Sequence, residues 1–280
     1  MSGSAAAQEP DAGQGLWQDV NETLLAPVQD HKVLKAGAYR TLRLDVAGLQ
    51  GLLANAPMEA SAPSTANVLL ALPLPEGGFG RFLVEESLIM EDKLAAQFPE
   101  LRTYRGQGLD DPTATVRFDL TPAGFHAMVL SSRGTLFVDP RAKGDSDHYV
   151  AYWKKDYERA VPSDFRCHVS GDVNVAPKHF GSEEALLSPG GTLQRYRLAL
   201  AATGEYTAFH GGTVAGAMSA ITTTMNRVNG VYERELAVRM VLVANNSSIV
   251  YTNASTDPYT NNDGGTMLGQ NQSNLDSVIG

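Results

Sequence analysis

The chain has 280 residues, enough for one large domain or two ordinary ones, and its 43% hydrophobic content is sufficient for a real core. It carries 22 basic against 31 acidic residues, a net charge of −9, with no dense Lys/Arg cluster, which argues against a nucleic-acid partner. No apolar run approaches the roughly 18–20 residues of a membrane span, and a single cysteine, Cys167, excludes an internal disulfide.

The opening MSGSAAAQEP has neither a basic nor an apolar region and does not read as an intact signal peptide; residues 1–15 read as a disordered leader. Trp17 and the Leu24-Leu25 pair are candidates to anchor the next stretch. AYRTLRLDVAGLQGLLANAP predicts a strand begun by Tyr39, Leu42 and Leu44. A short helix follows, with Val46, Leu49, Leu52 and Leu53 at helical spacing and Pro57 as its stop. From Ala66 the pattern changes to hairpins. NVLLALPL and FGRFLVEES flank a PEGG turn, and a helical piece over Glu91 to Phe98 stops at Pro99. TATVRFDL, FHAMVL and TLFVDP, separated by TPAG and SSRG, predict three more strands, and HYVAYWKKDY an aromatic one. Val116, Phe118 and Leu120 alternate with Arg117 and Asp119, which predicts one buried and one wet face.

Glu158 to Gly191 holds Pro162, Pro177 and Pro189 and no periodic run, the composition of an interdomain linker. Beyond it, the apolar runs Tyr196 to Ala202 and Val238 to Ala244 bracket a helix whose apolar positions are Val214, Ala217, Met218, Ile221, Met225, Val228 and Tyr232. Two strands apolar on both sides with such a crossover predict a right-handed parallel β-α-β unit. His210-Gly211-Gly212 reads as the sharp turn before that helix. The tract ANNSSIVYTNASTDPYTNNDGGTMLGQNQ reads as a long surface loop with a short strand at Ser248 to Tyr251, and NLDSVIG as the start of another helix. The predicted fold class is α+β: an N-terminal β-rich antiparallel meander over residues 16–157, then an α/β unit over 192–280.

The run TLQRYRLALAATGEYTAFHGGTVAGAMSAITTTMNRVNGVYERELAVRMVLVANNSSIVYTNASTDPYT resembles the opening of the catalytic domain in secreted bacterial reprolysin-like zinc metallopeptidases, of the metzincin class. TYRGQGLDDPTATVRFDLTPAGFHAM and HYVAYWKKDY resemble the domain that precedes it in the precursors. The resemblance implies a pro-domain at 16–157, a linker at 158–191 and the N-terminal part of a metzincin-type catalytic domain at 192–280. It also implies secretion, zinc in the full-length parent, protein substrates, and the chain's own downstream catalytic domain as partner. The family's signature is HExxH with a third His beyond a Gly. None of His31, His126, His148, His168, His179 and His210 is followed by Glu or has a His four residues on. No catalytic residue is therefore assigned, and the expectation is a truncated precursor, inactive and metal-free alone, with apolar surface left bare on its β-α-β unit and hence either a marginally stable C-terminal region or an association that covers that surface. The alternatives are a pro-domain that acts as inhibitor or chaperone of the protease domain, and a non-enzymatic secreted adhesion or binding module.

Cys167, in SDFRCHVSGD, lies where a pro-region thiolate would occupy the zinc of a latent metzincin; the bland alternative is a small buried or linker thiol. His168 and His179 stand close in sequence, but adjacency to Cys167 is poor chelate geometry. Asp257 and Asp263, with Asn261 and Asn262, make an oxygen-rich tract compatible with calcium, without EF-hand spacing, or simply a polar turn. Glu205 is another acid expected near the protease sheet's edge. No G-x-S-x-G elbow and no phosphate loop occurs.

Overall fold

A computed structural model describes residues 13–25, 36–59, 68–157 and 192–280. Nine antiparallel strands form one sheet: β1 (Trp17–Asp19), β2 (Tyr39–Leu44), β3 (Val68–Pro73), β4 (Phe79–Glu86), β5 (Arg102–Gly108), β6 (Thr115–Thr121), β7 (Gly124–Ser131), β8 (Gly134–Pro140) and β9 (His148–Trp153). Their order is β1-β2-β9-β8-β7-β6-β5-β4-β3, so β3 to β9 run as an unbroken meander and β2 returns beside β9. The tight turns fall where the sequence offers Gly: Gly124 and Gly134 open β7 and β8 with φ of 115° and 119°, a region closed to most side chains.

The sheet curls almost into a barrel. The Trp17 indole N–H donates to the Ala71 carbonyl at 2.9 Å, and Arg40 Nη1 to the Gly78 carbonyl at 2.7 Å, so the two edges meet through side chains. Alternate, inward-facing positions along the strands, among them Leu42, Leu70, Phe118, Phe125 and Tyr149, fill the interior, and Leu49 and Leu53 of helix α1 (Val46–Leu53) join that core. Trp17 meets Phe125 and Tyr149 edge-on at 5.7 and 5.9 Å. β5 was not legible from patterning, because Arg102, Arg105, Gly106, Gln107 and Gly108 give no apolar alternation. Gly106 is needed where it stands, since a Cβ would lie 2.7 Å from the Leu83 carbonyl oxygen.

The C-terminal unit comprises β10 (Gln194–Leu198), α3 (Gly204–Phe209), α4 (Val214–Leu236), β11 (Val238–Leu242) and α5 (Gly264–Val278), while α2 (Asp92–Gln97) belongs to the β4–β5 connection. β10 and β11 pair in parallel across α4, the expected β-α-β arrangement. Several expectations need correction. β10 is not buried on both faces: its first four residues are exposed, Tyr196 by 57%, because Arg195 and Arg197 leave it few apolar positions. A helix, α3, occupies part of the expected turn, with Gly211 and Gly212 at φ of 98° and 75° making the reversal into α4. The strand expected at Ser248 to Tyr251 is a 3-10 turn over Asn246–Ile249 with a single bridge from Val250 to Ala202. The last helix starts ten residues before the expected Asn274, because Asp263 caps it by accepting from Thr266 N at 3.1 Å.

Two further corrections concern burial. Arg117 and Asp119 are not wet: they are 4% and 1% exposed, because α4 lies across the outer face of β6 and β7. Nor is the apolar face of the β-α-β unit left bare. Ile89, Met90, Leu94 and Leu101, from the connection between β4 and β5, share a second core with Ala217, Met218, Ile221, Met225, Leu242 and Val250.

Trp17→Phe keeps the ring but leaves the Ala71 carbonyl without its donor and lowers the unfolding free energy by about 1–3 kcal/mol. Trp17→Ala lowers it by about 3–5 kcal/mol. Urea denaturation followed by far-UV circular dichroism measures both.

Candidate functional site

The chemically richest region is the seam between the barrel and the C-terminal unit, built around Arg239. This residue interrupts the apolar run of β11, and its side chain is fully buried. A guanidinium so placed requires paired carboxylates. Two answer it. Glu59 takes a bidentate pair, Nη1 to Oε2 at 2.6 Å and Nη2 to Oε1 at 2.8 Å, and Glu233 accepts from Nε. Glu59 is held by the backbone beside the end of β4, its N–H donating to the Glu86 carbonyl at 2.8 Å. Glu233 comes from the last turns of α4.

The chain of charge continues to both sides. Arg105 Nη1 pairs with Glu59 Oε1 at 2.8 Å and its Nε with Glu85 at 2.6 Å. On the other side Arg117 of β6 binds Glu233 and also donates to Ser87 Oγ at 3.0 Å, while Ser87 Oγ donates to Glu59 Oε2 at 2.6 Å. Three guanidiniums thus face the three carboxylates Glu59, Glu85 and Glu233. Burial pushes Glu59 up, but the hydrogen bonds from Arg239 and Ser87 and the charges of Arg239 and Arg105 outweigh it and hold its carboxyl at about 2. Glu233 is likewise raised by burial and lowered, on balance, by Arg239 and Arg117.

Further along α4 the seam stays polar. Asn226 Nδ2 donates to the Phe118 carbonyl at 2.8 Å, Thr223 Oγ1 to Asp119 at 2.7 Å, and Arg227 to Asp139, which also accepts from Tyr152 OH at 2.9 Å. His126 Nδ1 lies 3.3 Å from Asp119 Oδ1. Gly230 sits where the helix comes closest to the sheet: a Cβ there would meet Met128 Cε at 2.9 Å and Arg117 Cγ at 3.0 Å.

This seam divides the chain along a line that the comparisons also draw. Residues 192–280 match the family model of metallo-peptidase family M12B, reprolysin-like. No curated protein matches the chain. The matched stretch supplies Asn226, Glu233 and Arg239, and the barrel that receives them lies outside it. Peptidases of this family are zinc-dependent. Among the described residues no group of three or more His, Cys, Asp or Glu could hold a metal ion, so these residues do not fit a zinc centre and no hydrolytic step is derived through one.

Cys167, His168, His179 and the predicted linker lie outside the described residues, as do residues 1–12 of the predicted leader. Asp257 accepts the backbone N–H groups of Gly204 at 2.6 Å and Tyr259 at 3.0 Å, and Asp263 those of its own helix cap. Both carboxylates therefore face donors. Glu205, Thr203, Tyr206, Phe209 and Asn261 line a shallow cavity of about 450 Å³ beside α3. Burial and the nearby Lys143 charge lower the His210 pKa. Met218 and Met225 are core, as their spacing implied. The seam itself was missed, although one signal pointed to it: an arginine inside the apolar run VRMVLV, where a charge implies a partner.

Arg239→Leu takes the bidentate partner from Glu59 and leaves Glu233 with Arg117 alone, and it lowers stability by about 3–5 kcal/mol, read by urea denaturation at neutral pH. In acid, Glu59 has its folded value below that of the unfolded chain. Its contribution is complete above pH 4.5 and is lost as pH falls toward about 2. Glu59→Gln flattens the loss of stability over that window.

Proposed function

We propose that residues 16–157 act as the pro-domain of a secreted zinc metalloendopeptidase precursor, and that residues 192–280 are the part of its catalytic domain that the pro-domain grips. The observation that carries this reading is the polar face of α4, seated on the barrel through Thr223, Asn226, Arg227 and Glu233. The family match on the far side of the seam supports the peptidase half of the proposal. The barrel then serves as chaperone and inhibitor, with the chain's own catalytic domain as its partner and proteins as the substrates of the mature enzyme. HExxH does not occur in this sequence, so hydrolysis is assigned to none of these residues and these residues alone are inactive. Cys167 is the residue for a thiolate switch within this scheme, and Asp257 and Asp263 remain the acids for any calcium. An adhesion or binding module has no observation in its favour comparable to the seam.

A pro-domain that binds its protease holds on after the covalent link is cut. With a specific protease site engineered between residues 158 and 191, the two fragments of the cleaved chain should co-elute in size-exclusion chromatography at physiological salt. Fragments that separate while each stays folded would overturn the reading. In the full-length precursor, Cys167→Ala should raise activity before processing if the thiol is the switch; unchanged latency removes Cys167 from the scheme.

A further inference from the structure

Most links of the meander are short: β6 to β7 and β7 to β8 each pass through two residues. The link from β4 to β5 instead spans Ser87 to Leu101, closed at its base by Ser87 N donating to the Thr103 carbonyl at 2.9 Å and Thr103 Oγ1 to the Ser87 carbonyl at 2.6 Å. The barrel has no topological need of this arm. Its apolar residues Ile89, Met90, Leu94 and Leu101 are at most 5% exposed, and they are buried in the core of the reprolysin-like unit rather than in the barrel's own.

The arm also makes strand contacts. Leu242 N donates to the Ile89 carbonyl at 2.8 Å and Glu91 N to the Leu242 carbonyl at 2.9 Å, a parallel bridge on the edge of β11 opposite β10. At Met240 of β11 the Asn229 amide serves as partner, donating to the carbonyl at 2.9 Å and accepting from the N–H at 2.8 Å. At Leu242 the arm takes that role. The Glu91 carboxylate then accepts from Arg197 of β10 at 2.7 Å and from Ala244 N at 2.8 Å, tying the arm to β10 and to the chain just beyond β11. A two-stranded sheet is marginal by itself, and parallel strands need cover on both faces.

We infer that the Ser87–Leu101 arm is a donated strand on which the fold of the reprolysin-like unit depends, and that the β11 edge is a seat for an extended segment with two large apolar residues followed by a carboxylate. The inference deepens the pro-domain reading and rests on it for its purpose. It supplies the means by which the barrel serves as chaperone: a third segment, bridged to β11 at Met90, comes from the barrel.

The test is hydrogen exchange with mass spectrometry on the full 280-residue chain. Glu91→Pro suits the native φ of −64°, yet removes the N–H that binds Leu242 and the carboxylate that binds Arg197 and Ala244. In this variant, amides of β11 and α4 should exchange at least about tenfold faster while those of β6 to β8 keep their protection. A second variant replaces residues 88–100 with a two-residue Gly turn and should leave the barrel protected and the C-terminal unit unprotected. Unchanged protection of β11 and α4 in either variant overturns the inference. So does uniform loss across the barrel, because the arm would then belong to the barrel's own fold. Co-elution of the cut fragments together with unchanged exchange in Glu91→Pro would sink the arm's role and leave the pro-domain reading standing.

Discussion

The structure turns on one buried cation. Arg239 has no water to solvate it, so Glu59 and Glu233 must both be in place before the segment that carries it can settle. Glu59 comes from the loop after α1, Glu233 from α4, and Ser87 and Arg117 from β4–β6, so a single side chain fixes the relation of four parts of the chain. Against a hydrophobic replacement such a cluster gains little net stability, since desolvation offsets most of the attraction. What it does supply is register. A helix shifted by one turn along the barrel takes Glu233 away from Arg117 and leaves that guanidinium mismatched in a low-dielectric seam.

Helix α4 has two buried faces of different chemistry. Ala217, Met218, Ile221 and Met225 turn toward β11 and the second core, while Thr223, Asn226, Arg227 and Glu233 turn toward the barrel. An apolar face commits a helix to permanent burial. A polar face can return to water at modest cost, as exchangeable interfaces do. The division fits a barrel that holds a peptidase unit and later gives it up, and the weight of the proposed function lies in that contrast.

The hairpins from Val68 to Trp153, β5 apart, were legible because alternation and Gly turns encode them locally, and the β-α-β unit because Val214 to Tyr232 keep helical spacing. The seam was not legible. Arg117 and Asp119 alternate with apolar neighbours as solvent-facing residues do, and only α4, about a hundred positions later, makes them interior. Asn226 and Asn229 of α4 are likewise fully buried, which the helical spacing of their apolar neighbours does not reveal. Single-chain patterning records the period of a segment and not the identity of what covers it. The same limit hid the arm. Glu91 to Phe98 was legible as a short helix, but nothing local says that Ile89 and Met90 meet Leu242, far along the chain.

The arm and the ionic seam act on opposite sides of separability. The polar stripe of α4 can be rehydrated, but the seat of Ile89, Met90, Leu94 and Leu101 is apolar and cannot be bared without a large loss of burial. On the proposed pro-domain reading, departure of the barrel is therefore limited by the arm and not by the ion pairs, even though the ion pairs are the more conspicuous contacts. A peptidase unit able to stand alone must cover the β11 edge and the second core by other means once the arm has left. Until it does, the barrel is held by hydrophobic burial and positioned by charge.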